Sequence, residues 1–70
     1  MKAFKTSTKY VKGNLIKAVS GEDYTTCLIK KENGNYAVLT RDNDKDEYDS
    51  FFRSFKDLER AEKHYNMLAY

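Results

Sequence analysis

The dipeptide Asn33-Gly34 is the feature that most constrains how this chain can fold. It separates two runs rich in Thr, Ile, Val, Leu and Tyr within the segment 24–41. Asparagine and glycine readily adopt the positive φ that a type I′ turn needs at both central positions. The pattern predicts an antiparallel β-hairpin whose two-residue loop places Lys31 opposite Tyr36. In that register, the face expected to cover the core carries Cys27, Ile29, Tyr36 and Val38.

The segment from residue 4 to residue 20 fits two descriptions. As strands, residues 4–12 and 15–20 are joined by Gly13-Asn14, a glycine-led pair that suits a hairpin connection. As a helix, its apolar residues recur with helical spacing, but Gly13 near the centre costs about 1 kcal/mol relative to alanine. We therefore favour two strands and keep the helix as the alternative.

The C-terminal part of the chain predicts one more strand and an amphipathic helix. Residues 47–53 alternate in a way that suits a strand. Ser54 followed by Asp57 fits an N-terminal capping signature, so the helix is expected to begin directly after Ser54 and to run to residue 69. On a helical wheel, one side gathers the apolar residues Phe55, Leu58, Ala61, Tyr65, Leu68 and Ala69.

These elements predict one α+β domain that spans residues 1–70. Its architecture is a small antiparallel β-meander of four or five strands, with one C-terminal α-helix packed on one face. Such a chain has a thin core, because 70 residues bury only about 60% of their unfolded surface. Cys27 is the one cysteine, so an internal disulfide is excluded, and a homodimer is one way to complete the core.

The chain lacks the signals of membrane insertion or secretion. Its longest unbroken apolar runs are three residues, and its first nine residues contain no apolar stretch typical of a signal peptide. A lone cysteine in such a chain suggests a reducing compartment. We therefore expect a cytoplasmic protein with no membrane partner.

Charge is distributed unevenly along the chain. The formal net charge is +2, but residues 1–31 carry +5, residues 32–49 carry −4 and residues 50–70 carry +1. Such polarity favours oriented docking on a charged partner, or head-to-tail self-association, over general binding of polyanions.

One acidic stretch resembles a metal-binding loop in part. Asp42, Asp44 and Asp46 have the alternating spacing of a calcium loop. The glycine and the bidentate glutamate that such a loop needs are replaced by Glu47 and Arg53. We therefore expect no metal site here, and interpret the stretch as an acidic patch that faces a basic partner surface.

No constellation for catalysis or cofactor binding stands out. Cys27 and His64 form the only cysteine–histidine combination, and Cys27 lies in an apolar strand pattern where a thiol is usually inert. The three glycines are isolated at turns rather than grouped into a phosphate-binding loop. We expect neither an enzyme nor a bound cofactor.

The function predicted from these features is protein binding without catalysis. Adjacent residues of an extended segment point to opposite sides, so Phe51 and Phe52 are expected to diverge. One ring is then either packed under the helix N-terminus or exposed as an anchor for a partner. An adaptor or inhibitor, of the type that phages and mobile elements encode, is the class that we expect. The candidate partner-binding residues are Phe51, Phe52, Asp42, Asp44, Asp46, Tyr48, Met67 and Tyr70.

The alternative is a nucleic-acid-binding protein that uses the lysine-rich N-terminal strands. Binding would require cations along the phosphate backbone and exposed aromatic rings for stacking. Against it, Lys5 and Lys9 are expected to point away from Lys12 and Lys17, and the acidic segment 32–49 would repel phosphate. The candidate residues are Lys5, Lys9, Lys12, Lys17, Lys30, Lys31, Tyr10 and Tyr36.

Overall fold

A computed structural model describes residues 2–69, which form an antiparallel β-sheet and a C-terminal helix. The elements are β1 (Lys2–Lys5), β2 (Tyr10–Ser20), β3 (Tyr24–Lys31), β4 (Tyr36–Asp42), β5 (Arg53–Phe55) and α1 (Leu58–Ala69). Strands that follow one another in the chain are neighbours in the sheet, in the order β1-β2-β3-β4-β5. The predicted α+β meander with a helix on one face is confirmed, with five strands in the described residues.

β2 is long because its two halves belong to different strand pairs. Residues 10–13 pair with β1, whereas the stretch from Gly13 to Ser20 pairs with β3. At Gly13, β2 and β3 approach so closely that a Cβ atom on residue 13 would overlap the carbonyl oxygen of Lys30. Glycine is required at position 13 because any side chain there would prevent this approach of the two backbones. The predicted turn at Gly13-Asn14 is therefore wrong, and so is the helical alternative.

The turn between β1 and β2 lies at residues 6–9 instead. The Thr6 amide donates to the Lys9 carbonyl at 2.8 Å, and the Lys9 amide donates to Thr6 Oγ1 at 3.0 Å. A threonine hydroxyl that bonds nearby backbone groups stabilises a turn without glycine. The predicted strand 4–12 is therefore divided between β1 and β2.

The β3–β4 hairpin forms at the predicted place but with a three-residue loop. The Gly34 amide donates to the Lys31 carbonyl at 3.0 Å, and the Lys31 amide donates to the Asn35 carbonyl at 2.6 Å. Gly34 has a φ of 92°, which fits a type I turn followed by a left-handed glycine. Lys30, rather than Lys31, then pairs with Tyr36. The predicted type I′ turn and its register are wrong.

Both faces of β3 and β4 are buried, so the sheet separates two hydrophobic clusters. The first, the β1-side core, contains Phe4, Val11, Cys27, Ile29, Ala37 and Leu39, with Tyr48 and Phe52 partly buried against it. The second, the helix-side core, contains Leu28, Val38, Ala61 and Tyr65, with Val19, Tyr36, Phe55, Leu58 and Ala69 partly buried against it. Burial on both faces removes more apolar surface from water than one covered face would.

The predicted core face is wrong because it combined residues from opposite faces. Cys27 and Ile29 belong to the β1-side core, whereas Tyr36 and Val38 belong to the helix-side core. A register shift of one residue moves each β4 side chain to the other face relative to β3.

The segment that follows β4 returns to β1. Tyr48 forms an isolated parallel bridge with Thr6, and the Tyr48 amide donates to the Lys5 carbonyl at 2.7 Å. This long-range contact joins the first strand to the chain beyond the fourth. The predicted strand 47–53 is largely wrong, because it overlaps β5 only at Arg53.

α1 packs on the sheet but begins later than predicted. Ser54 lies in β5, and the Asp57 carbonyl accepts the Ala61 amide at 3.1 Å, which makes Asp57 the N-cap residue. Leu68, expected on the buried stripe, is 48% exposed. In the described part of the chain, no helix has the length and apolar character needed to cross a membrane.

Candidate functional site

Phe51 and Phe52 are presented differently, as expected for adjacent residues of an extended segment. Phe51 is 93% exposed, whereas Phe52 is half-buried and packs against the β1-side core. One ring of the pair therefore faces solvent while the other anchors the chain.

The backbone that carries Phe51 is held on both sides. The Asp49 amide donates to the Thr40 carbonyl of β4 at 2.7 Å, and the Phe51 amide donates to Asp49 Oδ1 at 3.0 Å. After Phe51, the packed ring of Phe52 and the pairing of Arg53 with β4 hold the chain. A preorganised backbone loses little conformational freedom when a partner covers the exposed ring.

The Tyr48 ring packs against the β1-side core and is not free to contact a partner. It lies edge-on to Phe4 with 5.9 Å between ring centroids, and its hydroxyl is 3.3 Å from Cys27 Sγ. The guanidinium carbon of Arg41 lies 5.6 Å from the Tyr48 centroid. Burial, with a smaller contribution from the Cys27 thiol, raises the pKa of Tyr48, while Arg41 opposes this shift. The phenol is therefore held neutral.

Acidic residues from two parts of the chain meet at one end of the sheet. Tyr24 of β3 pairs with Asp42, and the Asn43 amide donates to the Asp23 carbonyl at 2.9 Å. The turn that contains Glu22 therefore lies beside the loop that follows β4. We call this surface the acidic end, and it consists of Glu22, Asp23, Asp42, Asp44 and Asp46.

Glu22 and Asp23 belong to the segment 1–31, whose net charge is positive. The signal that places them at the acidic end is the hairpin itself, because pairing β3 with β4 brings residue 23 near residue 43. Within residues 2–69, no three His, Cys, Asp or Glu side chains are grouped so that they could hold a metal ion. Asp42 instead lies 3.8 Å from the Lys45 ammonium.

A basic groove lies at the opposite end of β3. It is an open depression of about 410 Å³ between the start of β2, the β3–β4 turn and Phe52. The charged and aromatic residues that line it are Lys9, Tyr10, Lys12, Lys31, Glu32 and Phe52. β3 is 8 residues long, so its length separates the groove from the acidic end by about 23 Å.

Two lysines of the basic groove share one aromatic ring. The ammonium groups of Lys9 and Lys31 lie 6.0 and 5.9 Å from the Phe52 centroid. Lys31 also donates to Ser54 Oγ at 3.0 Å. Among residues 2–69, neither these lysines nor Lys12 forms an ion pair. The contact between residues 9 and 52 is long-range, so no local pattern could have indicated it.

The structure brings together half of the predicted nucleic-acid residues. Lys9, Tyr10, Lys12 and Lys31 line the basic groove. Lys9 belongs to the turn before β2 rather than to the strand itself.

The other predicted nucleic-acid residues lie elsewhere. Lys17 faces α1, with its ammonium 3.9 Å from Glu62 Oε2 and 5.1 Å from the Tyr65 centroid. The Lys30 ammonium lies 5.9 Å from the Tyr36 centroid, and Tyr36 packs against the helix-side core. Lys5 is exposed on β1.

Cys27 and His64 are not brought together. Cys27 is buried in the β1-side core, whereas the His64 ring lies 5.4 Å from Phe55, which packs against the helix-side core. Burial, followed by the charge of Arg53, lowers the pKa of His64. The thiol and the imidazole therefore lie on opposite faces of the sheet and do not form a nucleophile–base pair.

The remaining candidate residues lie at or near the C-terminus. Met67 is 77% exposed on α1, and Tyr70 lies outside the described residues. Leu15 and Ile16, which were not predicted as site residues, are exposed on the part of β2 that β1 does not pair with in residues 2–69.

Comparison with protein-family models, curated proteins and solved structures gives no match to this chain. The surfaces described above are therefore the basis for assigning a function.

Proposed function

We propose that this chain is a non-catalytic protein-interaction module, of the adaptor or inhibitor type, that docks on its partner through Phe51. The observation that carries the proposal is the 93% exposure of Phe51 on a backbone held by Asp49 and β5. Exposed aromatic residues on well-ordered backbone are the type of side chain that anchors protein interfaces. Scattered exposed apolar residues are common on monomers, so the ordered backbone is what favours docking.

The negative charge of the acidic end orients the partner during docking. Five carboxylates gather there without forming a metal site in residues 2–69. Lys45 pairs with Asp42 there, but the five carboxylates leave this end with a net negative charge. A net negative charge at one end of a small molecule attracts a basic partner surface and orients the encounter. The partner is therefore a protein with an apolar pocket for Phe51 and with basic residues that face the acidic end.

The proposal is tested by capturing partners from an extract of the organism that encodes this chain, after nuclease treatment. Tagged wild-type protein is compared with Phe51→Ser and with Tyr10→Ser, which alters another exposed aromatic residue on a different surface. We expect Phe51→Ser to lose the captured proteins at unchanged circular dichroism, and Tyr10→Ser to retain them. Equal capture by Phe51→Ser and wild type would refute docking through Phe51.

Self-association is tested in the same set of variants. Sedimentation of the purified protein shows whether a second copy is a partner, which the thin core of a 70-residue chain favours. If the wild type forms dimers, Phe51→Ser should sediment as a monomer. A dimer that survives this substitution would place the contact on another surface.

A further inference from the structure

We propose that the basic groove binds single-stranded nucleic acid, as a function separate from docking through Phe51. The groove combines three lysines (Lys9, Lys12 and Lys31) with an exposed tyrosine and the Phe52 ring. Single-stranded nucleic acid is recognised by this combination, in which cations contact the backbone and aromatic rings stack on bases.

The charges in the groove are uncompensated in the free protein. The ammonium groups of Lys9 and Lys31 both lie within about 6 Å of the Phe52 centroid, so two positive charges flank this ring. Glu32 is the acidic residue among those that line the groove, and it forms no ion pair with these lysines in the described structure. A phosphate group bound in the groove would neutralise part of this positive charge.

Tyr10 distinguishes nucleic acid from other anionic partners. It is 65% exposed at the groove, next to Lys9 and Lys12. An acidic protein surface would neutralise the lysines but would make no specific use of an exposed aromatic face. A base can stack on that face while its phosphates contact the neighbouring ammonium groups.

The residues of the acidic end do not offset the positive charge of the basic groove. The acidic end is separated from the groove by the length of β3, about 23 Å. That distance exceeds two Debye lengths, each about 8 Å, at physiological ionic strength. Glu47 and Asp49 line a different pocket together with Ser7 and Arg41. Glu32 lines the groove itself, but the repulsion expected from the other acidic residues of segment 32–49 is therefore weak there.

The test measures fluorescence anisotropy of a labelled oligothymidylate of about 10 nucleotides. At about 50 mM salt we expect binding that weakens steeply as salt increases. Lys9→Gln, Lys12→Gln and Lys31→Gln should each weaken binding and reduce the salt slope by about 0.7 for every phosphate that the variant no longer neutralises. Lys56→Gln and Lys63→Gln, which remove equal charge from exposed positions near and on α1, should have little effect.

Two further variants separate the ligand class and the two proposals. Tyr10→Leu should weaken oligonucleotide binding at constant charge, and Phe51→Ser should bind as wild type does. Polyglutamate is the comparison ligand. Equal affinity for polyglutamate, with no effect of Tyr10→Leu, would contradict the nucleic-acid assignment and identify an acidic protein surface as the ligand. Absence of binding at about 100 µM protein in low salt, or equal losses in the α1 controls, would overturn the site.

Discussion

Gly13 of β2 lies so close to Lys30 of β3 that a side chain at position 13 would overlap the Lys30 carbonyl oxygen. This close approach falls at the residue where β2 changes partner from β1 to β3. Phe4 and Val11, on the β1–β2 side of that point, join Ile29 and Leu39 in one hydrophobic cluster. The close approach therefore holds the β1–β2 hairpin against the central strands, and it also positions Lys12 at the basic groove.

Replacing Gly13 with alanine should destabilise the fold. A Cβ atom there meets backbone atoms that cannot rotate away, and overpacking of this kind costs about 1–3 kcal/mol. The measurement is the free energy of unfolding in urea. Gly21→Ala is the matched control, because its Cβ would lie 3.6 Å from the Tyr24 carbonyl oxygen, an ordinary contact, and should change stability by less than about 0.5 kcal/mol. Equal losses in both variants would contradict the close approach.

Substitution of Gly34 tests the backbone conformation of the β3–β4 turn, without any steric contribution. A Cβ atom at this position has open space around it, so the penalty of Gly34→Ala comes from its φ of 92°. We expect a loss of about 1–2 kcal/mol in urea unfolding. Gly34→Asn should lose less, because asparagine tolerates the left-handed region. An alanine variant as stable as wild type would show that the loop has another conformation.

The start of α1 can be located by capping substitutions. Asp57→Ala should lower the free energy of unfolding by about 0.5–1 kcal/mol, because the Asp57 carboxylate lies beside the positive N-terminal end of the α1 dipole. Ser54 lies in β5 and accepts an exposed hydrogen bond from Lys31, so Ser54→Ala should cost less than about 0.5 kcal/mol. If the Ser54 variant lost more stability than the Asp57 variant, the helix would begin earlier than described.

Stability should depend on pH through His64. Burial and Arg53 lower the pKa of His64 below its ordinary value of 6.5 in the folded protein. The unfolded chain then binds more protons than the folded chain as the pH falls through that range, so the free energy of unfolding decreases with falling pH. His64→Gln removes this difference and should show a weaker dependence between about pH 7.5 and about pH 5. Parallel curves for the variant and wild type would rule out this contribution.

The sequence was informative about which elements exist and less informative about how they pair. Asn33-Gly34 marked the hairpin, but a left-handed glycine suits both a two-residue loop and a three-residue loop, and only the latter gives the observed register. Because Leu28 and Ile29 are both fully buried, alternation could not show which residues share a face. Gly13 looked like a turn residue, although it serves a close strand approach.

The candidate surfaces depended on contacts that are distant in sequence. The divergence of Phe51 and Phe52 followed from the geometry of an extended chain, which requires no tertiary information. The exposure of Phe51 did not follow from it, because packing under the helix was an equal alternative. The basic groove was not predictable, because Lys9 and Lys31 meet Phe52 only after the sheet has formed. The acidic end likewise combines Asp23 with the loop after β4 through pairing of β3 with β4.

The docking role of Phe51 depends most directly on the different environments of Phe51 and Phe52. The decisive measurement is the free energy of unfolding of Phe51→Ser and of Phe52→Ser in urea, under identical conditions. We expect Phe51→Ser to lie within about 0.5 kcal/mol of wild type, because its ring contributes little to the core. Phe52→Ser should lose about 2 kcal/mol or more, because its ring packs against the β1-side core. Comparable losses in the two variants would show that Phe51 is a core residue and would contradict the proposed docking surface.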